Sequence, residues 1–322
     1  MSWIKKTTFL VIAILLPSLV GIILLEVYLK TSLGLGEPIV YDKSAIWGYS
    51  PRPQRVYKRF DGNIVSINDV GLRSTTSWYN NTNSKVLFLG DSVTYGGSYV
   101  SDNQVFPSLA CNSLEEWSCF NGGVNAYGLL NMIARSRFDT RLEDADVIVF
   151  VFIWGDFLRG LQGSEIAHFI LREPPKYFPA TWEVLNFVSS RYAGYLKFGK
   201  AVDSENEAFN DPYLVASFAY ENLKSEVARL TSLGKKVILI SSPVVGEISS
   251  KKASWISIIE NELLNEFPDS YYSLLTKQLT DTYNEKNKLV FKDGVHLEQL
   301  GHVIYGKLIG DILQKHIKLS EN

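Results

Sequence analysis

The chain has 322 residues, 46% of them hydrophobic and 20% charged, which is enough apolar content to bury a full core and too much for a disordered segment. The formal net charge of −2 gives no basic excess of the kind a nucleic-acid binder carries, so no nucleic-acid partner is expected.

Residues 9–25 form a run of apolar or small residues broken only by Pro17 and Ser18, and with its flanks the run reaches the length a bilayer core requires. Lys5 and Lys6 precede it, so the positive-inside bias holds the amino terminus in the cytoplasm and sends the chain beyond Lys30 across the membrane. No small-x-small cleavage site comes after the run. An uncleaved signal-anchor over 1–30 is therefore favoured over a removed signal peptide or the buried helix of a soluble protein. The expected location is the cell membrane, single-pass, with the main domain on the periplasmic or extracytoplasmic side. Residues 31–83 read as a tether and amino-terminal cap, punctuated by Gly34, Gly36, Pro38, Pro51 and Pro53, with a hairpin or edge strand within 56–67.

The main domain spans 84–322. It opens with Lys85-Val86-Leu87-Phe88-Leu89, an apolar run of strand length that stops at Gly90-Asp91-Ser92 in a turn of small residues. That is how a nucleophile is placed at the carboxyl end of a buried strand, and Ser92 is the candidate. The pattern then alternates. A helix is predicted over 106–117, a strand over 119–121, a helix over 129–140, a buried strand over 147–153, a helix over 213–233 and a strand over 236–241. Two helical stretches, a strand at 288–291 and a closing helix over 298–316 complete the chain. Such alternation argues for a parallel sheet with helices on both faces, because each parallel pair needs a crossover. Ligands of these sheets bind beyond the carboxyl ends of the strands, where Ser92, Ala126 and Gly155 should lie.

Residues 157–212 interrupt the alternation and are rich in prolines and aromatics, among them Pro174, Pro175, Tyr177, Phe178, Pro179 and Trp182. A substrate cover and a surface subdomain away from the substrate both fit this insertion. Cys111 and Cys119 are eight positions apart; they can pair in an oxidising compartment or remain two free buried thiols. Neither has a histidine or second cysteine at ligand spacing, so no metal is expected.

Only four histidines are present. His168 lies in the insertion, His302 in a helix and His316 in the terminal turn, and each reads as a surface residue. His296 stands three positions after Asp293 on a loop, where a turn can direct both side chains to one site. Ser92, His296 and Asp293 together supply a nucleophile, a base and a carboxylate that orients the base.

These residues resemble those of the SGNH hydrolases, also called the GDSL family, and specifically its bacterial envelope-associated members. The resemblance covers about 67–312. It rests on Asn68-Asp69-Val70-Gly71-Leu72-Arg73, Gly90-Asp91-Ser92-Val93-Thr94-Tyr95-Gly96, Asn121-Gly122-Gly123-Val124-Asn125-Ala126-Tyr127-Gly128, Gly155-Asp156-Phe157, and Asp293-Gly294-Val295-His296-Leu297 with Gly301-His302. It implies a three-layer α/β/α sandwich on a flavodoxin-like, five-stranded parallel sheet, with Ser92 as nucleophile, His296 as base and Asp293 as its orienter. The implied oxyanion hole is formed by Ser92, Ala126 and Gly155, with Asn125 a possible substitute donor. Tyr95, Asn125 and Trp154, beside these blocks, are the expected substrate contacts.

Two positions depart from the family pattern. Ala126 stands where a glycine usually supplies a backbone N–H, and Gly155 stands where an asparagine usually supplies a side-chain donor. Loss of such a donor costs on the order of 2.7 to 4 kcal/mol of transition-state stabilisation. The expected reaction is acyl transfer through a serine ester without cofactor or metal, on an acyl ester of carbohydrate or lipid, an O-acetyl group on an envelope glycan first. An O-acyltransferase, or a catalytically weak domain that binds acylated glycan within an envelope polysaccharide assembly, stands as the alternative.

Overall fold

The computed structural model of the chain describes residues 3–163, 179–186, 188, 189, 211–249 and 252–318. His168, Pro174, Pro175, Tyr177 and Phe178 of the predicted insertion lie outside them.

The apolar amino-terminal run is one helix, α1 (Trp3–Thr31). Within its stretch Thr7–Thr31 an 18-residue window has a mean hydropathy of 2.8, and nothing among the described residues buries that window. It is long and apolar enough to cross a membrane, a property signal sequences share. Two antiparallel hairpins come next, β1 (Tyr41–Ser44) with β2 (Gly48–Pro51) and β3 (Arg55–Arg59) with β4 (Asn63–Ile67). The second was legible in the alternation of 56–67, and the first was not. The stretch from 31 to 83 is more than a tether, because Tyr41, Tyr49, Val70, Leu72 and Trp78 are buried in the main core.

Five parallel strands form the central sheet: β5 (Ser84–Gly90), β6 (Trp117–Gly123), β7 (Val147–Phe152), β8 (Lys236–Ser241) and β9 (Tyr271–Ser273), in the order β6-β5-β7-β8-β9. Their side chains alternate between two cores, as the two-residue period of a strand requires. Leu87, Leu89, Phe150, Phe152 and Leu239 face α4 (Leu129–Phe138), α5 (Pro212–Ser232) and α7 (Ser254–Glu266). Val86, Phe88, Val149, Val151, Ile238 and Ile240 face α3 (Phe106–Ala110), α8 (Lys277–Val290) and α9 (Gln299–Lys318). Two short helices, α2 (Ser92–Tyr95) and α6 (Val245–Ser249), begin just after β5 and β8. The result is the expected three-layer α/β/α sandwich.

The sequence reading placed the fifth strand wrongly. Residues 288–290 belong to helix α8, Phe291 makes only an isolated bridge to Leu297, and the fifth strand is β9. Three residues on a sheet edge are too few to show a two-residue period. The helix predicted over 106–117 also ends early, at Ala110, and β6 starts at Trp117. Cys111 and Cys119 are joined in a disulfide between these two elements.

The block from Asn68 to Arg73 works as a structural brace. Asn68 Oδ1 accepts from the N–H groups of Val70 and Leu72, and the Asp69 carboxylate accepts from Trp78 N and Ser77 Oγ. Arg73 pairs its backbone with Asn121 and buries its guanidinium entirely. Its Nε donates to Asp102 Oδ1 at 2.9 Å, its Nη1 to the carbonyls of Tyr95 and Gly97 at 2.7 and 2.6 Å, and its Nη2 to the Val100 carbonyl. One side chain thus fixes the segment just past Ser92. Removing one partner of a buried pair strands the other charge, so Arg73→Met is expected to lower unfolding stability by about 3 to 5 kcal/mol. Arg73→Met combined with Asp102→Leu should recover part of that loss in thermal or urea melts. Equal stability of the wild type and the single variant would show that the pair braces nothing.

Candidate active site

The turn after β5 is compact because backbone packs on backbone there. A methyl group at Gly123 would overlap the Tyr95 backbone nitrogen, and one at Gly90 would overlap Thr94 Oγ1. This explains glycine at the ends of both β5 and β6 and lets the first turn of α2 sit directly against the neighbouring strand. Asp91 caps that turn, its Oδ1 accepting from Val93 N at 2.8 Å. Ser92 is half-buried at the first helical position.

His296 comes from the other end of the chain. In its loop, Asp293 Oδ1 accepts from the N–H groups of Val295 and His296, each at 2.8 Å, and Lys292 N donates to the His296 carbonyl. Tyr99 Oη donates to the Leu297 carbonyl at 2.8 Å, tying this loop to the segment downstream of Ser92. Asp293 Oδ2 lies 2.8 Å from His296 Nδ1, and His296 Nε2 lies 2.9 Å from Ser92 Oγ. Burial pushes the Asp293 carboxyl up, but the two N–H groups and the imidazole outweigh it and hold it below the usual carboxylate range. An ionised Asp293 fixes the proton on Nδ1 and leaves Nε2 free to accept from the serine hydroxyl.

His302, expected at the surface, is completely buried. Its Nδ1 accepts from Phe106 N at 3.3 Å, and its ring stacks on Phe106. Burial, assisted by the Arg73 charge, pushes it down to about 3, so it is neutral and does not compete with His296 as a base. His316 is half-buried, with Nε2 2.9 Å from Tyr272 Oη.

Ala126 has φ +63°, in the left-handed region where its Cβ costs roughly 1 to 2 kcal/mol and a glycine would be free. The cap holds it there. Tyr49 Oη donates to the Asn125 carbonyl at 2.8 Å, and the buried Tyr127 Oη donates to the Tyr49 carbonyl. Asn125 turns one amide N–H to Tyr41 Oη at 3.3 Å, which ties its side chain to the cap. Gly155 lies exposed in the 3₁₀ turn Trp154–Phe157. The N–H groups of Ser92, Ala126 and Gly155 donate to no acceptor among the described residues. They sit at adjacent strand ends, since Gly90 pairs with both Gly123 and Val151.

Two expected substrate contacts are corrected. Tyr95 is fully buried among Tyr57, Val65 and Ile67 with the Arg73 guanidinium over its ring, and Trp154 is buried against Phe152, Phe157 and Trp255. Neighbourhood in sequence placed them near the blocks, but helical and 3₁₀ geometry turns both rings into the core. The sequence reading also missed Tyr99, Tyr41, Tyr49 and Arg159. Only Arg159 left a local signal, an arginine three positions after Asp156, at the spacing that lets two side chains on a helical turn meet.

No family model matches the chain, and no curated protein does. Among solved structures the chain is similar to a member of the lipolytic protein G-D-S-L family from Veillonella parvula DSM 2008, at 13% identity over 70% of this chain and 94% of that one, with a TM-score of 0.43. It is similar to a lipase/acylhydrolase from Enterococcus faecalis at 18% identity over 73% and 95%, with a TM-score of 0.42. It is also similar to a two-domain esterase active on acetylated mannans, at 13% identity over 72% and 49%, with a TM-score of 0.45. At these identities the site is read from this chain's own residues: a serine, a histidine and an aspartate hydrogen-bonded in series at the carboxyl edge of a parallel sheet.

Proposed function

We propose that the chain is a serine ester hydrolase of the SGNH type, held at the cell membrane by α1, that removes O-acyl groups, O-acetyl first, from envelope carbohydrate. The observation that carries this reading is the unbroken series from Ser92 Oγ to His296 to Asp293, at 2.9 and 2.8 Å. His296 Nε2 takes the Ser92 proton as Oγ attacks the ester carbonyl carbon, and the carbonyl electron pair moves onto oxygen. That oxyanion faces the N–H groups of Ser92, Ala126 and Gly155. Its collapse expels the alcohol, which takes the proton from His296. A water deprotonated by His296 then attacks the acyl-serine and releases the acid. A sugar hydroxyl in place of that water would make the enzyme a transferase.

The exposure of Asp293 and Gly155 suits a bulky polar substrate lying on the surface with only a short acyl group at Ser92, which favours carbohydrate over a long-chain lipid. Two contacts support a membrane setting. Glu26, near the end of the apolar run, accepts from the N–H groups of Ala180 and Thr181 at 2.7 and 3.0 Å. This brings the exposed Trp182 and Leu185 beside the point where α1 would leave the bilayer, and tryptophan favours that interface.

One observation favours the rival reading of a domain that binds acylated glycan with little turnover: Gly155 supplies no side-chain donor. The detergent-solubilised full chain should hydrolyse a short chromogenic acetyl ester, and Ser92→Ala should abolish the activity. A folded wild type no faster than Ser92→Ala on short acyl esters and acetylated glycans would leave the binding reading in place.

The backbone at Gly155 admits the first carbon of a side chain. Gly155 does not have a positive φ, and a Cβ there would meet only the Ile153 side chain, at 3.7 Å. Gly155→Asn is therefore expected to raise kcat by up to roughly a hundredfold with little change in KM. A slower Gly155→Asn enzyme would mean that the hole is already complete without it.

A further inference from the structure

Arg159 lies outside the triad and has no part in the proton transfers described above. Its Nη1 alone meets three groups: Asp156 Oδ1 at 2.7 Å, the Tyr127 carbonyl at 2.9 Å and Asp91 Oδ2 at 3.3 Å. Each partner is the immediate chain neighbour of one oxyanion donor. Asp91 precedes Ser92, Tyr127 comes directly after Ala126, and Asp156 directly after Gly155.

Both carboxylates divide their work in the same way. Asp91 holds its own turn with Oδ1, on Val93 N, and Arg159 with Oδ2. Asp156 holds its own turn with Oδ2, on Ile153 N at 3.0 Å, and Arg159 with Oδ1. Both aspartates are buried, and burial pushes both carboxyls up, that of Asp156 further because Asp91 lies beside it, while the Arg159 charge opposes the shift at both. The segment that carries Arg159 is itself fixed. Asn131, at the start of α4, exchanges hydrogen bonds with Gln162 N and O at 2.8 Å, and Gln162 Nε2 donates to the Arg159 carbonyl.

Resting on the hydrolase reading, we propose that Arg159 is the positioning residue of the oxyanion hole: it clamps the three loops that carry its backbone donors, and so keeps a hole without the asparagine side chain in working register. A preorganised donor acts only at the atom where charge develops, so its misplacement lowers kcat more than it raises KM. Nη1 has two N–H groups for three acceptors, so its place is what matters, and the planar guanidinium fixes that place better than the flexible four-carbon stem of a lysine does.

The test compares wild type, Arg159→Ala and Arg159→Lys in the full detergent-solubilised chain, on a short acetyl ester, with and without added guanidinium ion. A kcat decrease of about 30- to 300-fold for Arg159→Ala, with KM within about threefold of wild type, is expected. Guanidinium should restore at least about a tenth of the lost kcat, and Arg159→Lys should fall between the two. Affinity for a methylphosphonate or boronate that mimics the tetrahedral oxyanion should fall in parallel with kcat. A kcat for Arg159→Ala equal to wild type overturns the proposal, as does a loss of activity that neither guanidinium nor lysine moderates. If Arg159→Ala does not fold, the Arg159→Lys split between kcat and KM decides alone, and equal parameters overturn the clamp. A wild type without Ser92-dependent turnover overturns the hydrolase reading and the clamp with it, whereas an active wild type with an indifferent Arg159 overturns only the clamp.

Discussion

Backbone lies on backbone where β5 and β6 end, and most of the site depends on that contact. With no side chain on Gly123 and none on Gly90, the first turn of α2 seats directly on the neighbouring strand, and Ser92 emerges above it half-buried. Gly90 leaves room for the Thr94 side chain, and the contact of Gly123 on the Tyr95 nitrogen has no side-chain entropy to lose and no rotamer to choose. It also lacks attraction of its own, and the holding is done by charge. Arg73 is buried on one side with the carbonyls of Tyr95, Gly97 and Val100 as its acceptors, and Asp91 on the other side caps the turn and turns its second oxygen to Arg159.

The base arrives by a separate route. Asp293 and His296 are arranged within their own loop by hydrogen bonds over two and three residues, so their mutual geometry is local. What must be long-range is the placement of that loop over Ser92, 204 positions away. Tyr99 and the bond from Val245 N to the Gly294 carbonyl supply it, drawing the loop to the segment after α2 and to the end of β8. The neutral, buried His302 beneath Gly96 fills space under the same turn without competing for the proton.

How much of this was legible in the sequence tracks how local each signal was. β5, β7 and β8 are apolar runs of strand length, and they were read almost to their ends. Asp293 and His296 are three residues apart, so their partnership was visible. β9 was invisible because three residues carry no period, and 288–290 read as strand because an apolar end of a helix looks the same over so short a window. Tyr95 and Trp154 were misplaced because proximity in sequence says nothing about which way a ring turns. His302 sits one helical turn past a surface loop, and its burial depends on Phe106 from α3, almost two hundred positions earlier. The cap was undervalued for the same reason. Tyr41 and Tyr49 look like residues of a linker until the Asn125 loop is laid against them. Ala126 is where local reading correctly gave way, since an alanine at φ +63° is held by its surroundings and not by its own preference.

The central claim is that His296 makes Ser92 a nucleophile. The most direct measurement is covalent: the folded protein is treated with a fluorophosphonate, digested, and its peptides are weighed. A single adduct is expected on Ser92, formed rapidly in the wild type and at least about a hundredfold more slowly in His296→Ala. Failure of the folded wild type to take the label at Ser92, or labelling there at the same rate without His296, would contradict the account.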